Sequence, residues 1–178
     1  EDIATMADNP YYNRFYAYDM NQGQGSRYTY CAYFWDMYYS WIRLANDIIA
    51  SIKPVVENEE EPDEDLVHIL GQAYAYRAMC YLDLARLYEP KLNDYTDVRK
   101  VLGLTVPIVD ENTTIEQTKQ NPRVDRATMY TFIFADLARA EELINPSLKN
   151  YAEPTLMAVY GMYARAYIEL GYSDDPAF

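Results

Sequence analysis

An all-α chain of stacked helix pairs is the fold class this sequence predicts, and three observations predict it. Four segments carry apolar residues at three- and four-residue steps. Two of them are apolar on two faces, which suits helices covered on two sides. Prolines, acids and a glycine punctuate the segments where helices start and stop. The 178 residues are enough for one domain with a real core, and half of them are apolar.

Residues 1–32 have no clean period and read as an irregular segment rich in Asn, Gln, Gly and Tyr. The first helix is predicted over Tyr33–Ile52, with Phe34, Met37, Tyr38, Trp41, Ala45, Ile48 and Ile52 on one face and Pro54 as its stop. Seven acids in the nine residues Glu57–Asp65 follow. They read as a solvated linker whose last acids favour the positive end of the next helix. That helix is predicted over Asp65–Tyr88. Leu66, Ile69, Leu70, Ala73, Tyr74, Cys80, Tyr81, Leu84 and Leu87 form one stripe, and Ala75, Ala78, Met79 and Leu82 a second. Pro90 ends it.

A long irregular stretch, Glu89–Val124, carries the short apolar segment Leu102–Val109 between polar flanks. A loop of this length inside a compact domain is often functional. The third helix is predicted over Arg126–Ile144 with Asp125 as N-cap, and the fourth over Pro154–Leu170 with Gly171 as its C-terminal cap. The fourth is apolar along Leu156, Tyr160, Tyr163, Tyr167 and Leu170, and again along Met157, Gly161, Ala164 and Ile168.

Ala45-Asn-Asp-Ile-Ile49 echoes Ala140-Glu-Glu-Leu-Ile144, and Arg77-Ala78 with Tyr81, Leu82 and Leu84 echoes Arg165-Ala166 with Tyr167, Ile168 and Leu170. Two similar hairpins predict a tetratricopeptide-like superhelical array with long irregular loops. The organisation expected over 1–178 is a single helical domain: irregular segment 1–32, helix pair 33–88, long loop 89–125, helix pair 126–171.

The formal net charge of −13 disfavours nucleic acid. One His and two Cys are too few for a Cys/His zinc site, and no metal or cofactor is expected. Gly23-Gln-Gly25 lacks the rest of a phosphate loop, and Asp110–Asn121 lacks the Gly and Glu of a calcium loop. His68, the lone imidazole, is read as a surface or boundary residue, and Cys80 as a small buried hydrophobe. No carboxylate pair stands out, so no catalytic residue is assigned. Arg77 and Arg165 fall within apolar patterns; they are read as structural ion pairs, with Asp136 and Asp47 as candidate partners.

Tyr occurs 20 times, and nine of these lie from Tyr11 to Tyr39. Aromatic rings stack on the C–H faces of sugars while Asn, Asp, Gln and Arg bond the hydroxyls. Phe34, Tyr38 and Trp41 are read as core on the first helix. Tyr16, Tyr18, Tyr28 and Tyr30, in a polar context, are the candidate ligand-binding residues, with plain packing the alternative.

Four stretches in order carry a resemblance: Trp35–Ile49, an aromatic-led helix ending in Ala-Asn and two Ile; Leu70–Leu84, a "G-x-A-x-x-x-R-A-x-x-Y-x-x-L" helix; Gly103-Leu-Thr-Val-Pro-Ile-Val109; and Arg123–Ala140, with its Tyr130, Ile133, Asp136 and Leu137. Over about residues 33–172 the chain resembles the SusD/RagB family of outer-membrane nutrient-binding lipoproteins. The resemblance implies a non-enzymatic, lipid-anchored protein on the outer face of the outer membrane. It implies a glycan ligand, polysaccharide or oligosaccharide, and a SusC-like TonB-dependent transporter as partner. The family's lipid-bearing Cys is not in this chain, which is read as the N-terminal helical part of a longer protein. The alternative is a tetratricopeptide-like scaffold that binds a protein or peptide along residues 65–88 and 154–170.

Overall fold

The computed structural model describes residues 29–92, 97–147 and 153–171. The chain divides into two compact units, Glu1–Met37 and Tyr38–Phe178. Five helices run through the described residues: α1 Thr29–Asn58, α2 Glu64–Tyr88, the single turn α3 Ile115–Thr118, α4 Arg126–Leu143 and α5 Leu156–Gly171. The predicted all-α class is the observed one; the only sheet-like pairing among the described residues is an isolated bridge between Leu104 and Asp125. What is described of the first unit is the opening of α1, where Tyr33 meets Phe34 edge-on.

In the second unit α2 is the central helix. Thirteen of its residues are buried, because α1, α4 and α5 all border it. Its start follows from local chemistry: Asp63 accepts the Asp65 N–H at 2.8 Å, with Glu64 and Asp65 in the first turn. Asp125 likewise caps α4 by accepting the Thr128 N–H. Leu70, Tyr81, Leu82 and Leu84 of α2, Met129, Ile133 and Leu137 of α4, and Val159 of α5 are fully enclosed. Each such side chain contributes about 1.5–3 kcal/mol of hydrophobic stabilisation.

Gly71 sets the close approach of α2 to the end of α4. A Cβ there would lie 2.9 Å from both the backbone N and the Cγ1 of Ile144. His68, read from sequence as a surface or boundary residue, is buried beside it, and its Nδ1 accepts the Asn145 N–H at 3.1 Å. The imidazole thus satisfies the Asn145 N–H, a backbone donor just past the end of α4.

Other readings also need correction. Pro54 does not stop α1, which continues to Asn58. Pro54 and Ala50 are exposed, so the carbonyl that proline leaves without an N–H faces water. Asn58 Nδ2 then donates to the Pro54 carbonyl at 2.6 Å. The core face of α1 is Ile42, Ala45, Asn46 and Ile49; Phe34, Trp41 and Ile48 are 44%, 45% and 39% exposed. The buried face centres on Asn46, a polar residue that an apolar periodicity passes over. In α5 the two apolar stripes are largely exposed, and the buried face is Val159, Met162 and Ala166. Pro154 lies before α5; Thr155 opens it, accepting the Ala158 N–H on its hydroxyl and the Val159 N–H on its carbonyl. Gly171 is the last helical residue of α5 rather than its cap.

Candidate functional site

The long loop contains the element that organises the second unit. After a turn that ends at Gly103 and the isolated bridge at Leu104, residues 105–109 belong to no regular element, so their buried backbone groups need other partners. They find them one by one. The Gly103 carbonyl, at a residue with φ of +75°, accepts the Arg126 N–H. The Thr105 carbonyl accepts Arg123 Nη1 at 3.0 Å, and the Val106 carbonyl the Val124 N–H. The Pro107 carbonyl accepts the Tyr39 hydroxyl at 2.6 Å, and the Ile108 carbonyl Asn121 Nδ2 at 2.6 Å. Val109 is held twice: its carbonyl accepts Asn46 Nδ2 and the Tyr81 hydroxyl, and its N–H donates back to that hydroxyl.

Arg77 is the hub beneath this segment. Its Nε and Nη2 fork onto Asp136 at 2.7 and 2.8 Å, and its Nη1 donates to Asn46 Oδ1 at 2.8 Å and Glu111 Oε2 at 2.7 Å. The guanidinium also lies over the rings of Tyr74 and Phe132. Burial opposes the charge on Arg77, but Asp136 and Glu111 more than offset it and raise its pKa. Burial pushes the Asp136 carboxyl above the ordinary range against the pull of Arg77. Burial pushes Glu111 the same way, yet Arg77 and Lys53 hold it below the ordinary range. The deeper burial of Asp136, and Lys53 beside Glu111, produce this split.

The structure therefore brings Arg77 and Asp136 together on α2 and α4. Arg165 does not meet Asp47: it pairs with Asp83 at 2.6 Å, and Asp47 lies exposed on α1. Tyr16, Tyr18 and Tyr28 lie outside the described residues, and of Tyr30 only its place in the first turn of α1 is described.

Two aromatic patches reach the surface of the second unit. On α4 and α5, Phe134, Tyr163 and Tyr167 stack, with Tyr163 at 5.9 Å and 14° and Tyr167 at 4.9 Å and 32° to Phe134. Glu141 raises the pKa of the Tyr160 hydroxyl, burial and then Glu141 raise that of Tyr163, and Met157, Tyr167 and Ile168 beside them are exposed. On α1, Tyr38 meets Trp41 edge-on at 5.5 Å, and its hydroxyl donates to Asp83 Oδ2 at 3.1 Å. Burial, then Asp83, pushes the Tyr38 hydroxyl up to about 12, so it stays a donor. The other Asp83 oxygen accepts Arg165 Nη2. The patch of Tyr38, Trp41, Asp83 and Arg165 is not legible from spacing, since Asp83 and Arg165 are 82 residues apart.

Among the described residues, no group of three or more His, Cys, Asp or Glu side chains is placed to hold a metal ion. Nor is any helix among them long and apolar enough to cross a membrane. Cys80 is a buried free thiol, pushed up to about 12 by burial and Asp83.

A family model for SusD-like proteins, described as starch-binding and associating with the outer membrane, matches residues 2–168. A putative sugar binding protein from Bacteroides vulgatus is 30% identical with a TM-score of 0.60, over 78% of this chain and 29% of that one. A SusD-like carbohydrate binding protein from the same organism is 26% identical with a TM-score of 0.56, over 75% of this chain and 26% of that one. A SusD superfamily protein from Bacteroides thetaiotaomicron shares the fold at 24% identity and a TM-score of 0.61, over 77% of this chain and 28% of that one. No curated protein matches the chain. The chain spans less than a third of the length of these solved structures.

Proposed function

From the premise that the chain belongs to the SusD-like family, we propose that it forms the helical part of a cell-surface glycan-binding protein. Such a protein captures polysaccharide or oligosaccharide and delivers it to a SusC-like TonB-dependent transporter, without turnover. An N-terminal lipid would hold it at the outer membrane. The single observation that carries this reading is the family match over residues 2–168, in proteins described as starch-binding. The 30% identity to a putative sugar binding protein supports it. The physics is compatible. A side-chain-satisfied loop clamped between helices is rigid, and rigid elements position a binding surface well.

The test uses the full-length protein. Affinity electrophoresis and calorimetry against starch, laminarin, xylan, mannan and arabinan are expected to show binding with no release of oligosaccharide. Pull-down from outer membranes is expected to recover a TonB-dependent transporter. Absence of binding across the panel would sink the reading.

The alternative, a peptide-binding scaffold, draws on the exposed Met157, Tyr160, Tyr167 and Ile168 of α5. It predicts peptide capture without saccharide binding, and Tyr167→Ala should then abolish capture.

A further inference from the structure

We propose that Trp41, Tyr38, Asp83 and Arg165 form a subsite for a neutral pyranose unit, at the junction of α1, α2 and α5. This rests on the glycan-binding reading and places a contact within the helical part. Trp41 offers a ring 45% exposed, braced edge-on by Tyr38. An exposed aromatic plane buries the C–H face of a sugar at little entropic cost. Beside it the Asp83 carboxylate accepts from Tyr38 and Arg165, one on each oxygen, and each oxygen has a second lone pair for a sugar hydroxyl. Arg165 uses Nη2 on Asp83 and is 43% exposed at the side chain, so its remaining fork can donate to sugar oxygens.

Stability does not explain the arrangement. An ion pair whose arginine is 43% and whose aspartate is 22% exposed adds modestly to folding, and a half-exposed Trp leaves much of its apolar surface in water. An aromatic plane beside a fixed acceptor and a fixed donor matches what a pyranose presents. Charge narrows the class. The positive charge of Arg165 is already paired, and the chain carries a formal net charge of −13, so polyanionic glycans are repelled.

Hydroxyl-radical footprinting of the full-length protein, read by mass spectrometry on the Trp41 peptide, tests this directly. Trp41 is expected to be oxidised in the free protein and protected by the neutral polysaccharide of the panel that binds. An unreactive Trp41 in the free protein would overturn the subsite, because another part of the chain would then cover it. Protection by chondroitin sulfate equal to that by the neutral glycan would overturn the neutral class.

Trp41→Ala should weaken neutral-glycan binding about tenfold or more, as for a truncated aromatic anchor. Its melting temperature should stay near that of the parent. Trp41→Tyr should recover most of the affinity, and Arg165→Lys should be intermediate. Wild-type binding that these variants leave unchanged sinks the subsite alone. Wild type that binds no glycan sinks the underlying reading with it. A Trp41→Ala protein that unfolds assigns Trp41 to the core, and Arg165→Gln, at a more exposed site, then decides the subsite by affinity.

Discussion

Arg77→Met removes the hub under residues 103–109 while keeping side-chain length and apolar contact. The substitution breaks the fork to Asp136 and the bonds to Asn46 and Glu111. Asp136 and Asn46 are 3% and 6% exposed, so both are left buried without their strongest partner. Removing one member of a buried pair costs about 3–5 kcal/mol, mostly for stranding the other charge. That corresponds to roughly two to three and a half orders of magnitude in the unfolding equilibrium. Asp136→Asn should cost less, because Glu111 still pairs with the guanidinium. Arg77→Met with Asp136→Leu should recover much of the loss, since no buried charge is then stranded. Arg77→Lys should not rescue, because an ammonium cannot span the fork. Urea denaturation of the full-length protein, with hydrogen exchange at the Val109 amide as the local readout, measures these costs. A loss below about 1 kcal/mol for Arg77→Met, or a double variant worse than either single one, would refute the hub argument.

Gly71→Ala should destabilise by about 1–3 kcal/mol, because the new methyl meets the Ile144 backbone at 2.9 Å; thermal melting reads it, and a neutral result would mean α4 can shift. Pro54→Ala should raise stability, by less than the roughly 3 kcal/mol of a central helix proline, since Pro54 is exposed in the last turns of α1; a lowered midpoint in urea would contradict the account of its carbonyl. Glu111 has a folded pKa below its ordinary 4.5, so its contribution is present above that value and is lost as pH falls through the lower folded one. Glu111→Gln should therefore flatten the acid limb of the stability–pH curve, and an unchanged limb would remove Glu111 from the network. Cys80, buried and with its thiol pushed up to about 12, should resist iodoacetamide at pH 8 until the protein unfolds; rapid labelling of the Cys80 peptide in the native protein would contradict its burial.

Helix existence was legible where period and caps agreed. Asp125 with Thr128 set the start of α4, and of the sequence-predicted stripe Tyr130, Ile133, Phe134, Leu137, Ala140 and Ile144 all are core except the half-buried Phe134. Which face of a helix is buried was less legible, because sequence shows hydrophobicity and not neighbours. On α1 the decisive residue is polar: Asn46 is buried because Arg77 and Val109 give it partners from α2 and the loop. On α5 the apolar stripes exceed what α2 and α4 can cover, so the narrow Val159–Met162–Ala166 side is buried and the rest is left outside. His68 was misplaced for a similar reason, its partner lying 77 residues away at the end of α4.

The same limit applies to ligand chemistry, which in the sequence points to the Tyr-rich start. A local run of aromatics is visible in one dimension, whereas a patch assembled from positions 38, 41, 83 and 165 is visible only once α1, α2 and α5 are packed. Packing also divides the arginines. Arg77, enclosed by two carboxylates and two rings, has its donors committed to holding the loop. Arg165, half in water on one carboxylate, keeps donors for something that arrives. The two sit in matching helix patterns, Arg77-Ala78 and Arg165-Ala166, so burial rather than motif separates a structural arginine from one that can bind. Exchanging the environments tests the point. Introducing a second carboxylate beside Arg165 should raise its stabilising contribution and lower glycan affinity together, and a variant that gains one without losing the other would break the link.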